Sequence, residues 1–587
     1  MKQPTNISQK IRSAAYHTLY TVLAGRDLGR LLIQAKRIID RPDVKVVSFD
    51  IFDTCLARLS YRPEDIFRLA FQDNDPIIFQ ERCRAESELK KAGIPYPTFE
   101  EIWQYLGEKC HLSEQLTRQL SQKEIQLEKH LVSARKPLLD LYGYAVSSGK
   151  RVIAVSDMYL DSRTLRDMLS QAGYRDPDRI YVSCECQGSK SDGALYDYVL
   201  DQEAVTSPCQ LFHIGNGFIS DCWRARGRRI RHLCIPSPFQ RFQYSAIDAR
   251  RYIEGHLASV QERCLFGFLL NACEEDGGLT YRRAGLDLRL FTKAIVFPLL
   301  FRIDEFIIEN EEIQKNYREV YFVSRDGWLP MKGYQMMRDH YGKGLPAVYL
   351  YGSRQLCKKS DDEARNRRIQ EYYRDTVKLK EGRAVIYDIG YSGSVAGISC
   401  YFDTPCIIDK IYLWQKGANK TLDNKTGART YVLDDRIQSN LRTFLEAVFN
   451  NPEEGSAVDI TKEGNTYLPV SYPSAADGSS KMVVNEIHAL ALSLLASYIP
   501  YKSIAGIPVL SDSSSITDLV HHYFGGRLSS SASCLKDITY DDPLTRTRRQ
   551  FSLDRYIRKE SWNDCNVISA LKSSMFKLFQ IIRSERI

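Results

Sequence analysis

Residues 45–54, KVVSFDIFDT, run a short β-branched stretch into Asp50, Asp53 and Thr54. A carboxylate delivered to a loop at the end of a strand can serve both as nucleophile and as magnesium ligand. Three later segments offer complementary groups. RVIAVSDMYL brings Ser156 and Asp157 to another strand end, CQGSKSDGALYDYVL presents Lys190 ahead of a helix, and LFHIGNGFISDCWRARG supplies Gly215, Asn216 and Asp221. A hydroxyl binds a phosphoryl oxygen, and an ammonium neutralises carboxylate and phosphate as a point charge. The constellation handles phosphate and occupies the first two fifths of the chain.

In order and placement these four segments resemble the haloacid dehalogenase superfamily, most of whose members are phosphatases. The resemblance implies a Rossmann-like α/β domain with Asp50 as nucleophile, Thr54 and Ser156 on the phosphate, and Lys190 as charge neutraliser. It also implies Mg2+ held by Asp50, Asn216 and Asp221. Two positions depart from the pattern: Phe52 stands where the general acid belongs, and Asn216 replaces the first acid of the fourth motif. General acid catalysis is worth roughly 10²- to 10⁴-fold, so Asp53 or Asp157 must substitute if the site is to work on demanding esters. Oxygen ligands for a near-octahedral magnesium still remain, the Asn216 amide among them. An inactive hydrolase domain kept for binding is the competing reading.

Elements must position these groups. Between the first and second motifs, PEDIFRLAFQ, PIIFQERCRAESELKKAG, FEEIWQYLGEKC and EQLTRQLSQKEIQLEKHLV repeat apolar residues at three and four, which predicts helices. The superfamily inserts a helical cap here, expected over 62–145, and such a lid excludes water and selects substrate. Arg82, Arg84 and Glu86 are candidates to face a ligand from it, although a charged triplet on a helix is ordinarily a solvated face.

A second region has its own α/β rhythm. REVYFVSRDG and AVYLYGSRQ read as strands with loops, WLPMKGYQMMRDH as a helix, and AVIYDIGYSGSVAGI as strand, glycine-rich loop and a helix from near Val395. Strands alternating with helices imply a parallel sheet with ligands at its carboxyl end. Ser324, Arg325, Asp326, Ser353, Arg354, Asp388, Gly390, Ser392, Gly393 and Ser394 gather there. Glycine-rich backbone, hydroxyls and a helix N-terminus suit a phosphate, and the acids suit ribose hydroxyls or magnesium.

YDIGYSGS is loosely similar to the loop with which phosphoribosyltransferases hold phosphoribosyl diphosphate. The whole arrangement resembles the dual-domain ribofuranosyltransferases of bacterial surface polysaccharide assembly. The resemblance implies transfer of ribose 5-phosphate from phosphoribosyl diphosphate to a lipid-linked glycan, then removal of the 5-phosphate by the hydrolase domain. Arg325, Arg354 and magnesium would assist departure of diphosphate. Asp326 or Asp388 would hold metal or ribose, or activate the acceptor, with Glu446 a weaker candidate base. A stand-alone sugar-phosphate phosphatase with a partner-binding second region, or an inactive scaffold, are the alternatives.

Composition fits a large protein of two to four domains: 587 residues, 43% hydrophobic. The boundaries read as N-terminal helices over 1–43, a phosphatase domain over 44–245 and a transferase domain over 246–587. No signal peptide is expected, and apolar stretches such as HALALSLLASYIP and AIVFPLLF fall short of a membrane span. A cytoplasmic or peripheral location follows as an expectation. The 15 cysteines are scattered without CxxC pairs, which argues for reduced thiols, and the CxC at Cys184 and Cys186 is poor support for a metal. A net charge of +8 is too thin for nucleic-acid binding. The chain ends are locally basic, with Lys10, Arg12, Arg26, Arg30, Lys36 and Arg37 at one and Arg546, Arg548, Arg549, Arg555 and Arg558 at the other. A final amphipathic segment, Ile568 to Arg586, would rest on an anionic membrane or pack on its own domain.

Overall fold

The structure, a computed structural model, describes residues 21–22, 24–71, 76–245, 259–276, 287–390, 394–413, 427–433, 445–474, 476–509, 535, 538–541 and 550–552. Ser392, Gly393, Lys10, Arg12, the serine-rich segments at 511–534 and the basic C-terminal segment from Arg546 lie outside these residues, as does the side chain of Ser394. Two compact units divide the chain, one mainly Met1–Arg283 with Ile504–Ile507, the other mainly Ala284–Ser503.

In the first unit the β-branched run becomes β1 (Val46–Phe49), buried throughout. A short antiparallel pair follows, β2 (Leu56–Arg58) and β3 (Val132–Ala134). Between them lie the cap helices, Glu64–Phe71, Pro76–Lys91, Phe99–Lys109 and Glu114–His130. Helix Phe99–Lys109 begins at a capping box between Thr98 and Glu101, and Ser113 caps the next. The sheet continues with β4 (Arg151–Ser156), β5 (Arg179–Val182), β6 (Leu211–Gly215) and β7 (Arg231–Cys234). Its order is β5-β4-β1-β6-β7, every neighbour parallel. After β1 the chain builds to one side and then returns to build the other, so β1 and β6 flank the point where ligands bind in such sheets.

The first unit continues past residue 245, where the sequence had suggested a boundary. Helix Val260–Ala272, opened by a Ser259–Glu262 capping box, lies against the β2 region, and a Cβ at Gly267 would sit 2.5–2.7 Å from the Ser60 backbone. Arg263 meets buried Asp65 at 2.6 Å. Arg135, fully buried, pairs with buried Glu274 through Nε at 3.1 Å and also donates to the Asp53 carbonyl at 2.7 Å. At the chain's start, Asp27 caps helix Leu28–Ile39, which buries Leu28, Leu31, Ala35 and Ile39.

The second unit holds β8 (Val320–Val323), β9 (Ala347–Leu350), β10 (Arg383–Asp388), β11 (Ile407–Tyr412) and β12 (Thr430–Val432), all parallel in the order β12-β11-β10-β8-β9. Here the reversal falls between β8 and β10. Beyond the glycine-rich loop the chain forms 3₁₀ turns over Ser394–Tyr401 rather than the expected α-helix. Val395, Ile398 and Tyr401 are buried at a spacing of three, the period of that tighter helix.

In the structure HALALSLLASYIP lies within the longer helix Gly478–Ala505, 28 residues that also carry Lys481, Glu486 and Lys502; by length and composition alone it is apolar enough to cross a membrane, with mean hydropathy 1.5 in its most apolar window. Its Ile487, Ala491, Leu495 and Tyr498 are buried, Tyr498 meeting Phe301 edge-on at 4.9 Å.

His488 on this helix is buried, with Nε2 2.7 Å from the Val448 carbonyl oxygen. Burial lowers its pKa to about 4, against a smaller upward pull from that carbonyl. The folded state therefore favours the neutral ring. Its contribution to stability is full above about pH 6.5 and is lost as pH falls toward about 4. In urea titrations at pH 7 and pH 4.5, wild type should lose about 2–3 kcal/mol more than His488→Gln.

Candidate active site

At the carboxyl end of the first sheet, β1 and β6 run side by side with Phe49 opposite Ile214, which sets Asp50 beside Asn216 and the turn to Asp221. Asp50 and Asp221 are 6% and 1% exposed. One ammonium serves both: Lys190 Nζ lies 2.5 Å from Asp50 Oδ1 and 2.7 Å from Asp221 Oδ1. Thr54 Oγ1 is 3.0 Å from Asp50 Oδ2 and 3.2 Å from Asn216 Oδ1. Asp221 is further fixed by the Gly217 amide at 2.6 Å and by His213, whose Nε2 is 3.2 Å from Oδ1 and whose Nδ1 is 2.8 Å from Ser48 Oγ. Gly215 must lack a side chain, because its Cβ would fall 2.3 Å from Asp221 Cγ.

These contacts divide the charge unequally. Burial raises the Asp50 pKa to about 7 and the charge of Asp221 adds to this, although Lys190 opposes both. Burial also pushes Asp221 up, but Lys190 and His213 together hold it below the usual carboxylate range. The Lys190 pKa is raised, its desolvation outweighed by Asp221 and Asp50. Burial lowers that of His213.

Ser156 ends β4, buried. Asp157 is exposed and accepts from the Lys190 amide at 2.7 Å and from the Ser191 amide and hydroxyl at 3.2 and 3.1 Å. It thus shapes the loop that presents Lys190. Asp53 takes a left-handed backbone (φ 59°) and pairs with Arg58 at 2.8 Å. In the cap, Arg82 does not stand free as a ligand contact: it is fully buried against Glu124, with Nε–Oε1 3.0 Å and Nη2–Oε1 2.6 Å, between the rings of Phe67 and Tyr159. Arg84 is exposed beside Glu81, and Glu86 lies 3.8 Å from Arg82.

Magnesium fits the donor set. Asp50, Asn216 and Asp221 present only oxygens, the hard ligands this ion takes. Among the described residues no three of His, Cys, Asp and Glu converge on a metal position, Cys184 and Cys186 included. The cysteines of the described residues are free thiols.

At the reversal of the second sheet, Asp326 follows β8 and Asp388 ends β10, and each carboxyl group influences the titration of the other. Burial raises both pKa values. Asp388 and Glu446 push Asp326 further, while the Gly390 amide, Asp326 and Arg354 pull Asp388 back. Arg325 has φ 77°, donates from Nη1 to Ser456 Oγ at 2.7 Å, and keeps a buried Nε without a hydrogen-bond partner. Ser324 and Ser353 serve the fold. The Ser324 hydroxyl donates to the Gly352 carbonyl at 3.1 Å, and that of Ser353 donates to the Ala457 carbonyl at 2.6 Å. Gly390 turns at φ 95° and donates its amide to Asp388 at 3.2 Å.

Three residues here were not singled out from the sequence: His213, Arg58 and Asp304. Asp304 is fully buried, neither carboxylate oxygen has a hydrogen-bond partner, and burial holds its pKa far above the usual range. An acid inside FPLLFRIDEFII was the available signal.

No family model matches the chain. No curated protein matches it. Solved structures similar to it include the L-2-haloacid dehalogenase from Xanthobacter autotrophicus with chloropropionic acid covalently bound, at 13% identity and TM-score 0.28, covering 38% of this chain and 86% of that one. A HAD family enzyme from Bacteroides thetaiotaomicron in complex with magnesium and inorganic phosphate is 16% identical with TM-score 0.26, covering 33% of this chain and 95% of that one. The HAD-hydrolase YfnB from Bacillus subtilis, bound to magnesium, is 17% identical with TM-score 0.26, over 33% and 88%.

Removing the shared cation should expose its role. Lys190→Met would leave two buried carboxylates facing each other, and breaking such an arrangement costs about 3–5 kcal/mol. Urea denaturation at neutral pH should show that loss, and it should shrink under mildly acidic conditions, where Asp50 takes up a proton.

Proposed function

We propose that the first unit hydrolyses phosphate monoesters through an aspartyl phosphate on Asp50. The observation that carries this reading is Lys190 held between Asp50 and Asp221 at the switch point of a parallel sheet, with Thr54 and Asn216 completing the rim. In the first step an Asp50 oxygen bonds to phosphorus and the ester P–O bond breaks. In the second, water cleaves the aspartyl phosphate and restores the carboxylate. Lys190 opposes the burial that raises the Asp50 pKa and offsets charge on the incoming phosphoryl group, while Thr54 orients the carboxylate. Asp157 supports Lys190 through its loop. A Mg2+ held by Asp50, Asn216 and Asp221 would act as Lewis acid toward the phosphoryl oxygens.

For the second unit the reading is phosphoribosyl transfer from phosphoribosyl diphosphate to a glycan hydroxyl, the first unit then removing the 5-phosphate. The resemblance to dual-domain ribofuranosyltransferases motivates it, and the Asp326–Asp388 pair at the sheet reversal favours it. Two neighbouring buried carboxyl groups can bridge ribose hydroxyls or admit a cation. Arg325 and Arg354 supply positive charge for a departing diphosphate. The acceptor in this reading is a lipid-linked glycan, which places the work in the cytoplasm at the inner face of the membrane.

Asp50→Asn should reduce phosphate release from phosphomonoesters to background while leaving pentose phosphate transfer measurable by mass spectrometry of the glycan. Loss of both activities in a folded variant would refute separate sites. Calorimetry with phosphoribosyl diphosphate and Mg2+ should give binding to full-length Asp50→Asn that falls at least about tenfold, or 1.4 kcal/mol, when Asp388→Asn is added. No binding in either protein would make the second unit a partner-binding module instead.

A further inference from the structure

Two residues after Asp50, where a proton donor would assist departure of the alcohol, stands Phe52, 8% exposed. The guanidinium of Arg58 lies 4.4 Å above its ring. Arg58 comes from β2, the strand that follows the nucleophile turn, and Asp53 fixes one edge of it through Nη1 at 2.8 Å. Its side chain is 12% exposed, and its Nε is buried without a hydrogen-bond partner. A planar cation clamped between a ring and a carboxylate, with donors of its fork unspent, is preorganised for another anion.

Its position suits the reacting centre. Two cavities of the first unit meet at this residue. One, of about 620 Å³, runs from Asp157 and Ser191 to Arg82 and Tyr159, and the other, of about 330 Å³, reaches Asn216 and Asp53. Arg58 and Pro63 line both. Burial works against the Arg58 charge, but Asp53, Glu128, Tyr159 and Asp50 raise its pKa overall, which sets Asp50 within electrostatic reach.

We propose that Arg58 is a catalytic residue that stabilises the leaving oxygen by charge, in place of the missing proton donor. The inference rests on the phosphatase reading of the Asp50 site. As the Asp50–phosphorus bond forms and the ester P–O bond breaks, the electron pair stays on the departing oxygen beside the guanidinium. That alkoxide takes a proton from water, and the hydroxide left behind attacks the aspartyl phosphate, releasing phosphate and restoring Asp50. Arginine keeps its own proton throughout.

The test uses full-length wild type, Arg58→Lys and Arg58→Met with 4-nitrophenyl phosphate, phenyl phosphate and ribose 5-phosphate. Arg58→Met should leave 4-nitrophenyl phosphate hydrolysis nearly unchanged and slow ribose 5-phosphate hydrolysis by about 10²-fold or more. Arg58→Lys, which keeps charge without the fork, should fall between. The wild-type rate should show no alkaline limb below about pH 10. Equal losses on every substrate would make Arg58 a structural partner of Asp53 and overturn the proposal. So would an alkaline limb abolished by Glu128→Gln or Asp53→Asn, which would reveal a working acid. Absence of hydrolysis of all three esters by wild type would defeat the phosphatase reading itself, and this inference with it.

Discussion

One ammonium shared by two buried carboxylates sets the terms for the first unit. Taking such charges out of water costs several kcal/mol per ion, and only close geometry with additional hydrogen bonds repays it. The surrounding structure reads as that repayment. Parallel register between β1 and β6 brings Asp50 and Asp221 to the same end. Gly215 leaves room for the Asp221 carboxylate, Ser48 and His213 brace it from the strands beneath, and Asp157 ties down the loop that carries Lys190. With two anions and one cation, Asp221 remains ionised and Asp50 sits near the edge of protonation. An incoming cation or phosphoryl group would be felt first at Asp50.

The second unit meets the same topological situation with a different charge balance. Its sheet also reverses direction between two acids, Asp326 and Asp388, and burial raises both of their pKa values, with Arg325 and Arg354 pulling the other way. Beneath them Asp304 and the Tyr387 hydroxyl are buried without hydrogen-bond partners, with Asp304, Asp326 and Asp388 all raising the tyrosine's pKa after burial itself. Such a floor gathers buried acids, unlike the braced, cation-centred floor in the first unit.

The parallel sheets were legible in the chain because β-branched runs ending in small polar residues leave few alternatives, and the cap helices because apolar spacing of three and four repeats over long stretches. Individual side chains were less so. A hydroxyl at a strand end reads the same whether it faces a ligand or ties two strands, and Ser324 and Ser353 do the latter. Arg82 read as a possible ligand contact because its partner, Glu124, lies 42 positions away on another helix. Arg58 and His213 drew no attention for the same reason: each matters through what tertiary structure sets beside it. The glycine-rich loop's continuation was predicted as α-helix, but burial at Val395, Ile398 and Tyr401 favours a threefold turn.

The ion pair between Arg135 and Glu274 has a consequence for how the protein is made. Arg135 sits fully buried and bonds to the turn after Asp50, and its carboxylate arrives 139 residues later in the chain. A nascent chain that has exposed only the sheet and cap holds Asp50, Thr54, Lys190 and Asp221, yet it must bury a guanidinium with no counter-ion. Domains generally fold as units during synthesis, at about 5–20 residues per second. Here the closing unit includes helix Val260–Ala272 and the turn to Glu274. Until the ribosome has delivered them, the turn after Asp50 lacks its support, so the Asp50 cluster matures only after its own sequence has long been complete.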